Sequence, residues 1–291
     1  EASSYSEIVH KVPGDVSDRG YCQSLFDEIS PDTKHVSIFH LGAVMSGDGE
    51  RDFDLCLRVN LYGVLHMLEL ARQNVREKLH LTPKFIFCSA GATIGSGAPT
   101  DYVTKEDTIS DSTRATPHTT YGATKACAEL LLSDYARRGF VDGRGIRLPT
   151  IIVRAGAPNA ATTSCFSGVV REPLAGIDVE LPIAPDVPHA VTGKRAVMQA
   201  MMLLHNLPLE KIEAILGFDR TVFLPAVALS LGDLEKGLKN VVSPDSHSKL
   251  GKIQYKVDDF LSNVVGGFPT KIDAHRAIQL GIPPAPSAET L

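Results

Sequence analysis

The sequence has no long run of basic residues, and its formal net charge is −5. Proteins that neutralise nucleic-acid phosphates cluster Lys and Arg, so no nucleic-acid partner is expected. No apolar segment approaches the roughly 20 residues that cross a bilayer, so no membrane partner is expected either. Cysteine is scarce. Cys22, Cys56, Cys88, Cys127 and Cys165 are odd in number, widely spaced and never in a Cys-x-x-Cys pair. That argues against a disulfide framework and against zinc. The ten histidines include no His-x-x-x-His pair, so no metal site is expected. Reduced thiols and the lack of an opening signal peptide point to a cytoplasmic location. Internal repeats and low-complexity tracts are also absent.

What remains is ordinary for a globular protein: 291 residues, 43% apolar and 22% charged. That length allows one large or two modest domains. Short apolar runs at Ile8–Val12, Val36–Leu41, Lys84–Ser89 and Arg147–Arg154 read as strands. Between them, helical periodicity is expected from Ser17 or Asp18 to about Ile29, from Asp52 to Asn74, and from Thr119 to about Arg138. The alternation calls for a parallel sheet covered on both faces, with ligands beyond the carboxyl ends of its strands. The polar stretch Gly91–His118 is long for a connection, and such loops are usually functional. After Gly156 the elements shorten. Helices are expected at Thr162–Leu174, Thr192–His205, Gly232–Val241, Val257–Val264 and Ile272–Leu280, with strands at Val179–Ile183 and Thr221–Leu224. The tail Pro283–Ser287 reads as a linker.

Tyr121 and Lys125 stand four residues apart, on one face of the Thr119 helix. A free phenol, with a pKa of about 10, is a poor base at neutral pH. A neighbouring ammonium favours the phenolate and brings proton transfer within reach. Alone, the pair is weak evidence, because an ordinary surface Tyr and Lys fall at this spacing often.

Its surroundings carry more. Gly14–Asp18, Phe39–Ala43, Arg58–Gly63, Cys88–Gly95, Tyr121–Lys125 and the strand ending at Arg154 together resemble an extended short-chain dehydrogenase/reductase of the NAD-dependent epimerase/dehydratase type. His40–Gly47, Asp134–Phe140, Leu148–Thr150 and Ser167–Gly176 resemble its D-erythronate dehydrogenase group. The resemblance implies an α/β fold, a Rossmann-like doubly wound parallel sheet lacking its first two strands, with a smaller C-terminal substrate-binding domain. Residues 1–156 would form the NAD-binding part and 157–291 mainly the substrate-binding part, with the helix 192–205 packing back on the former.

It implies NAD as cofactor and a sugar-acid substrate oxidised at a hydroxyl-bearing carbon. Tyr121 would be the base. Lys125 would hold the nicotinamide ribose and favour the phenolate. Asn60 would support a water relay to Lys125. Asp15 and Val16 would meet the adenine. Leu41, Gly42 and Ala43 would line the dinucleotide, with Arg154 and Gly156 on the nicotinamide side. Ser164 and Arg171 would hold the substrate carboxylate, although Arg171 also reads as a solvated surface residue. A homodimer through a four-helix bundle of the Thr119 and Asp52 helices is implied as well.

Three departures accompany the resemblance. The family's catalytic serine falls on Ala90, one position after Ser89, and neighbouring strand positions face opposite ways. Ser89 can supply the missing hydroxyl, as a catalytic and substrate-binding residue, only through a local backbone shift. No Gly-x-x-Gly-x-x-Gly turn occurs, and the sequence opens at what would be the third strand, as a truncated chain would. Finally, Ala155 and Ala157 replace a proline and a lysine. An inactive binding or assembly protein and a nucleotide-sugar epimerase/dehydratase are the competing readings.

Overall fold

The computed structural model describes residues 9–95, 102–156 and 162–286. Strands β1 (Ser37–His40), β2 (Lys84–Ala90), β3 (Asp142–Leu148) and β4 (Thr221–Phe223) lie side by side in that order, all parallel. The alternation of side chains along β2 supplies both faces. Phe85 and Phe87 meet one layer of helices, while Cys88 meets Met201 on the other side.

The first layer holds α1 (Arg19–Asp27), α2 (Gly63–Leu70) and α3 (Thr120–Arg137). Their Phe26, Val64, Leu68, Ala128 and Leu132 close over Phe85 and Phe87. Apart from Ala128, each such side chain contributes roughly 1.5–3 kcal/mol by leaving water. The second layer holds α4 (Lys194–Asn206), α5 (Leu209–Leu216) and α6 (His275–Leu280), packed on Ile146 and Val222. A third core gathers Ile152, Phe166, Leu181, Val191, Leu229 and Leu234. It surrounds a sheet of Thr150–Ile152, His189–Gly193 and Val227–Leu229.

Several expectations are corrected. The run expected as one strand from 147 to 154 is two, β3 and the separate Thr150–Ile152. β3 starts earlier because the charges of Asp142 and Arg144 pair inside the core at 2.6 Å. The fully buried Arg144 also donates to the terminal carbonyls of α4, reaching that of Leu207 at 2.8 Å. The stretch 272–280 divides into a strand, Lys271–Asp273, and α6. That strand pairs in parallel with Thr108–Ser110, inside the long Gly91–His118 stretch. The helix expected from Asp52 runs through π-helical turns at Arg58–Tyr62 and Ala71–Glu77, and a short helix, Ser46–Arg51, precedes it. Val9–Val12 form no strand, and Ile8 lies outside the described residues. Among the described residues no strand pairs with the outer edge of β1, and none lies beside Val9–Val12 to hold them extended. No described helix is long and apolar enough to cross a membrane.

Two buried histidines make this fold acid-sensitive. His40 stacks on Phe85, and the His189 ring lies tilted against that of Phe166. Burial pushes both imidazoles down to about 4, and the Lys125 charge adds to the effect at His40. Below pH 6.5 the unfolded chain takes up protons that the folded chain refuses, so stability falls with pH. Asp111 works the other way over part of this range, because burial lifts its carboxyl to about 6. From pH 7.5 to 5.0 each histidine costs about 2 kcal/mol and Asp111 returns about 1 kcal/mol. The expected net loss is about 3 kcal/mol, to be read from urea unfolding at the two pH values. Equal unfolding free energies would contradict it.

Candidate active site

The N-terminus of α3 is fixed from three sides. The Thr119 hydroxyl accepts from the Gly122 N–H at 3.0 Å, which is an N-cap. The Thr120 N–H donates to a carboxylate oxygen of Glu50 at 2.7 Å. Gly122 rests directly on the turn Gly91–Thr93 that follows β2. A Cβ there would collide with the Ala92 carbonyl. Tyr121 and Lys125 are thereby set at the carboxyl end of β2.

Lys125 is only 2% exposed. Its Nζ donates to the Cys88 carbonyl at 2.7 Å and lies 4.9 Å from the centre of the Phe87 ring. Burial lowers its pKa to about 8. The phenol of half-buried Tyr121 moves the other way, pushed up to about 12 by burial. The expected lowering of the phenol by the ammonium is thus not seen. The Nζ lies 5.8 Å from the Tyr121 ring centre, and burial is the largest influence on the phenol.

Asn60 is fully buried in the π turn of the long helix. Its Oδ1 accepts from the Val44 N–H at 2.8 Å, and its Nδ2 donates to the Val44 carbonyl at 2.9 Å. The amide therefore clamps the backbone just after Leu41, Gly42 and Ala43, and its remaining contact is with Cys56 rather than Lys125. Leu41 is 56% exposed at the end of β1. Val16 packs beside Gly42 and against Gly63. Asp15 holds the Ser17 N–H at 2.8 Å, and that bond lowers its pKa.

Ser89 does not take the place of the missing serine. It is 2% exposed, and its hydroxyl donates to Glu129, one turn beyond Lys125 on α3. Glu129 in turn binds Arg147 of β3 through three hydrogen bonds, the shortest at 2.7 Å. The hydroxyl expected at the site is turned into this buried ion pair. Ala90 is the last residue of β2, in register with Leu148.

Arg171 is not a solvated surface residue. Its guanidinium binds Glu172 at 2.5 Å and donates to the Arg154 carbonyl at 3.0 Å. Ser164 sits at the N-cap position of the helix Cys165–Leu174, and Gly156 takes a positive φ of 90°. Ala157 lies outside the described residues. Sequence reasoning missed Glu129 and Arg147. The signal was there for Glu129, an acid at i+4 from Lys125 on the same helix face.

A nicotinamide ribose fits this arrangement. An ammonium carries three donors. Lys125 gives one to Cys88, and the other two have no partner among the described residues. The sequence holds no Gly-x-x-Gly-x-x-Gly turn and the described residues supply no glycine-rich cradle for the pyrophosphate, so the fit covers the ribose end.

The profile of the NAD dependent epimerase/dehydratase family matches residues 2–184. The D-erythronate dehydrogenase of Cupriavidus necator is 37% identical over 273 residues, which span 94% of this chain and 77% of that protein. That of Haemophilus influenzae is 35% identical over 247 residues, covering 84% and 72%. A solved structure described as a nucleoside-diphosphate-sugar epimerase, from Agrobacterium tumefaciens, superposes with a TM-score of 0.80. It is 33% identical, with coverage of 95% and 75%.

Proposed function

Since this chain belongs to the NAD dependent epimerase/dehydratase family and is an NAD-dependent oxidoreductase, we propose that it oxidises a small sugar acid, a D-erythronate-like 2-hydroxy acid, to the 2-oxo form. The carrying observation is the Tyr121–Lys125 pair, one helical turn apart at the carboxyl end of β2. NAD supplies the hydride acceptor. Tyr121 takes the hydroxyl proton. Lys125 holds the ribose through its two remaining donors and keeps a positive charge near the phenol. Asp15 and Val16 meet the adenine, Leu41, Gly42 and Ala43 line the dinucleotide, and Arg154 and Gly156 border the nicotinamide. Asn60 acts at one remove, by fixing the backbone at Val44. The test is NADH formation with D-erythronate. No turnover with it or with similar four-carbon sugar acids sinks the reading. Product analysis with a nucleotide sugar separates it from epimerisation, the reading favoured by the name of the Agrobacterium protein.

Ala90 favours a second reading, a protein that binds without turnover. A substrate hydroxyl at this site lacks the donor that a serine would give, and Ser89 is spent on Glu129. Ala90→Ser is expected to raise kcat about tenfold or more. An unchanged kcat would mean that Ala90 does not face the substrate.

The family's dimer is also proposed here. Leu130 is 71% exposed on α3 and Tyr62 45% exposed on the long helix. Light scattering should give a dimer that Leu130→Glu converts to a monomer. An unchanged mass would contradict this interface.

A further inference from the structure

A directed chain of hydrogen bonds lies just beyond the carboxyl end of β3. His189 is 8% exposed, and its ring lies between Phe166 and Phe268, with centroids at 5.2 and 5.7 Å. Its Nε2 is 2.8 Å from the Thr150 hydroxyl, while its buried Nδ1 has no partner. The Thr150 hydroxyl donates to that of Thr163 at 3.2 Å. A hydroxyl has one hydrogen. Having given it to Thr163, Thr150 must accept from His189, which places the imidazole proton on Nε2. The partnerless Nδ1 is then a bare lone pair, which is less costly to bury than an orphaned N–H. Both observations select one tautomer.

With that direction fixed, Thr163 accepts from Thr150, and its own O–H has no partner among the described residues. Thr150 lies two residues beyond Leu148, the register partner of Ala90, so the chain starts past the carboxyl end of β3, the end of the sheet at which the Tyr121 helix begins. An end that already accepts and offers an O–H suits a group that only accepts, such as a carboxylate. Arg171, the residue expected for that task, is committed to Glu172 and the Arg154 carbonyl.

We propose that Thr163 donates to the substrate carboxylate, and that His189 and Thr150 are positioning residues that fix the direction of its hydroxyl. The proposal rests on the sugar-acid reading and refines how the acid is recognised.

The test is calorimetric titration of the NADH-loaded protein with D-erythronate, and with erythritol, which has the hydroxyls but no carboxylate. Thr163→Val is expected to weaken D-erythronate binding about tenfold or more and to leave erythritol unchanged. His189→Phe keeps the ring packing but loses the donor, and should weaken the acid about three- to tenfold. His189→Gln, which restores an N–H, should recover part of that loss. Wild-type affinity for the acid in both Thr163→Val and His189→Phe overturns the proposal alone. A wild type that binds no D-erythronate overturns the substrate reading. Independently of any ligand, the nitrogen-15 shifts of His189 should show the proton on Nε2. A proton on Nδ1 overturns the relay.

Discussion

Tyr121→Phe should lower kcat for sugar-acid oxidation by a factor of about 100 to 10,000, the usual contribution of a positioned acid/base group. The substitution removes one oxygen and leaves the ring in place, so α3 and its contacts with the Gly91–Thr93 turn are kept. Lys125 keeps its bond to the Cys88 carbonyl, because that contact does not pass through the phenol. NADH affinity should therefore change little. A fall in kcat of less than about tenfold would mean that some other group accepts the proton. The size of the loss also bears on the raised pKa of Tyr121. A phenol near 12 ionises rarely at neutral pH. Bound substrate and cofactor must then change its surroundings, and kcat should climb as pH rises from 7 towards 8, above which Lys125, with a pKa lowered to about 8, sheds the charge that favours the phenolate.

Arg147→Met should cost about 3–5 kcal/mol of unfolding free energy, the usual result of breaking a buried ion pair from one side. Both partners are 7% exposed, so Glu129 would be left buried without its counter-ion. Arg147 also donates to the Asp111 carbonyl at 3.3 Å, and its guanidinium lies over the Phe223 ring. Adding Glu129→Leu should recover much of the loss, since replacing a whole buried pair with apolar side chains is often close to neutral. Additive losses in the double variant would show that Arg147 acts through its other contacts. The measurement is chemical denaturation of the four proteins of the cycle.

The same pair explains where sequence reading succeeded and failed. The Tyr121 helix was legible because its signal is local: apolar residues at helical spacing from Thr119 onward. The sheet was legible from short apolar runs for a similar reason. Ser89 was not legible. The fate of its hydroxyl depends on Glu129 from α3 and Arg147 from β3, which only the fold brings together. β3 itself was placed five residues late, because the charges of Asp142 and Arg144 disguise its start, and their partnership with the end of α4 is long-range. Arg171 was read through the resemblance as a carboxylate ligand, with solvated surface as the alternative, and its contacts with Glu172 and the Arg154 carbonyl left no local signal. It braces its own backbone. The short strands of the second half, three to five residues each, carry too few alternations to show a period.

The pairing of Thr108–Ser110 with Lys271–Asp273 has a consequence for how the protein is made. Synthesis runs from the N-terminus, so Tyr121 and Lys125 leave the ribosome long before the strand that fastens the loop leading to them. Closing so wide a chain loop is slow and costs entropy that only late contacts return. The nascent chain can form α3 and much of the first helical layer early. Its approach loop is secured only when Lys271–Asp273 has emerged.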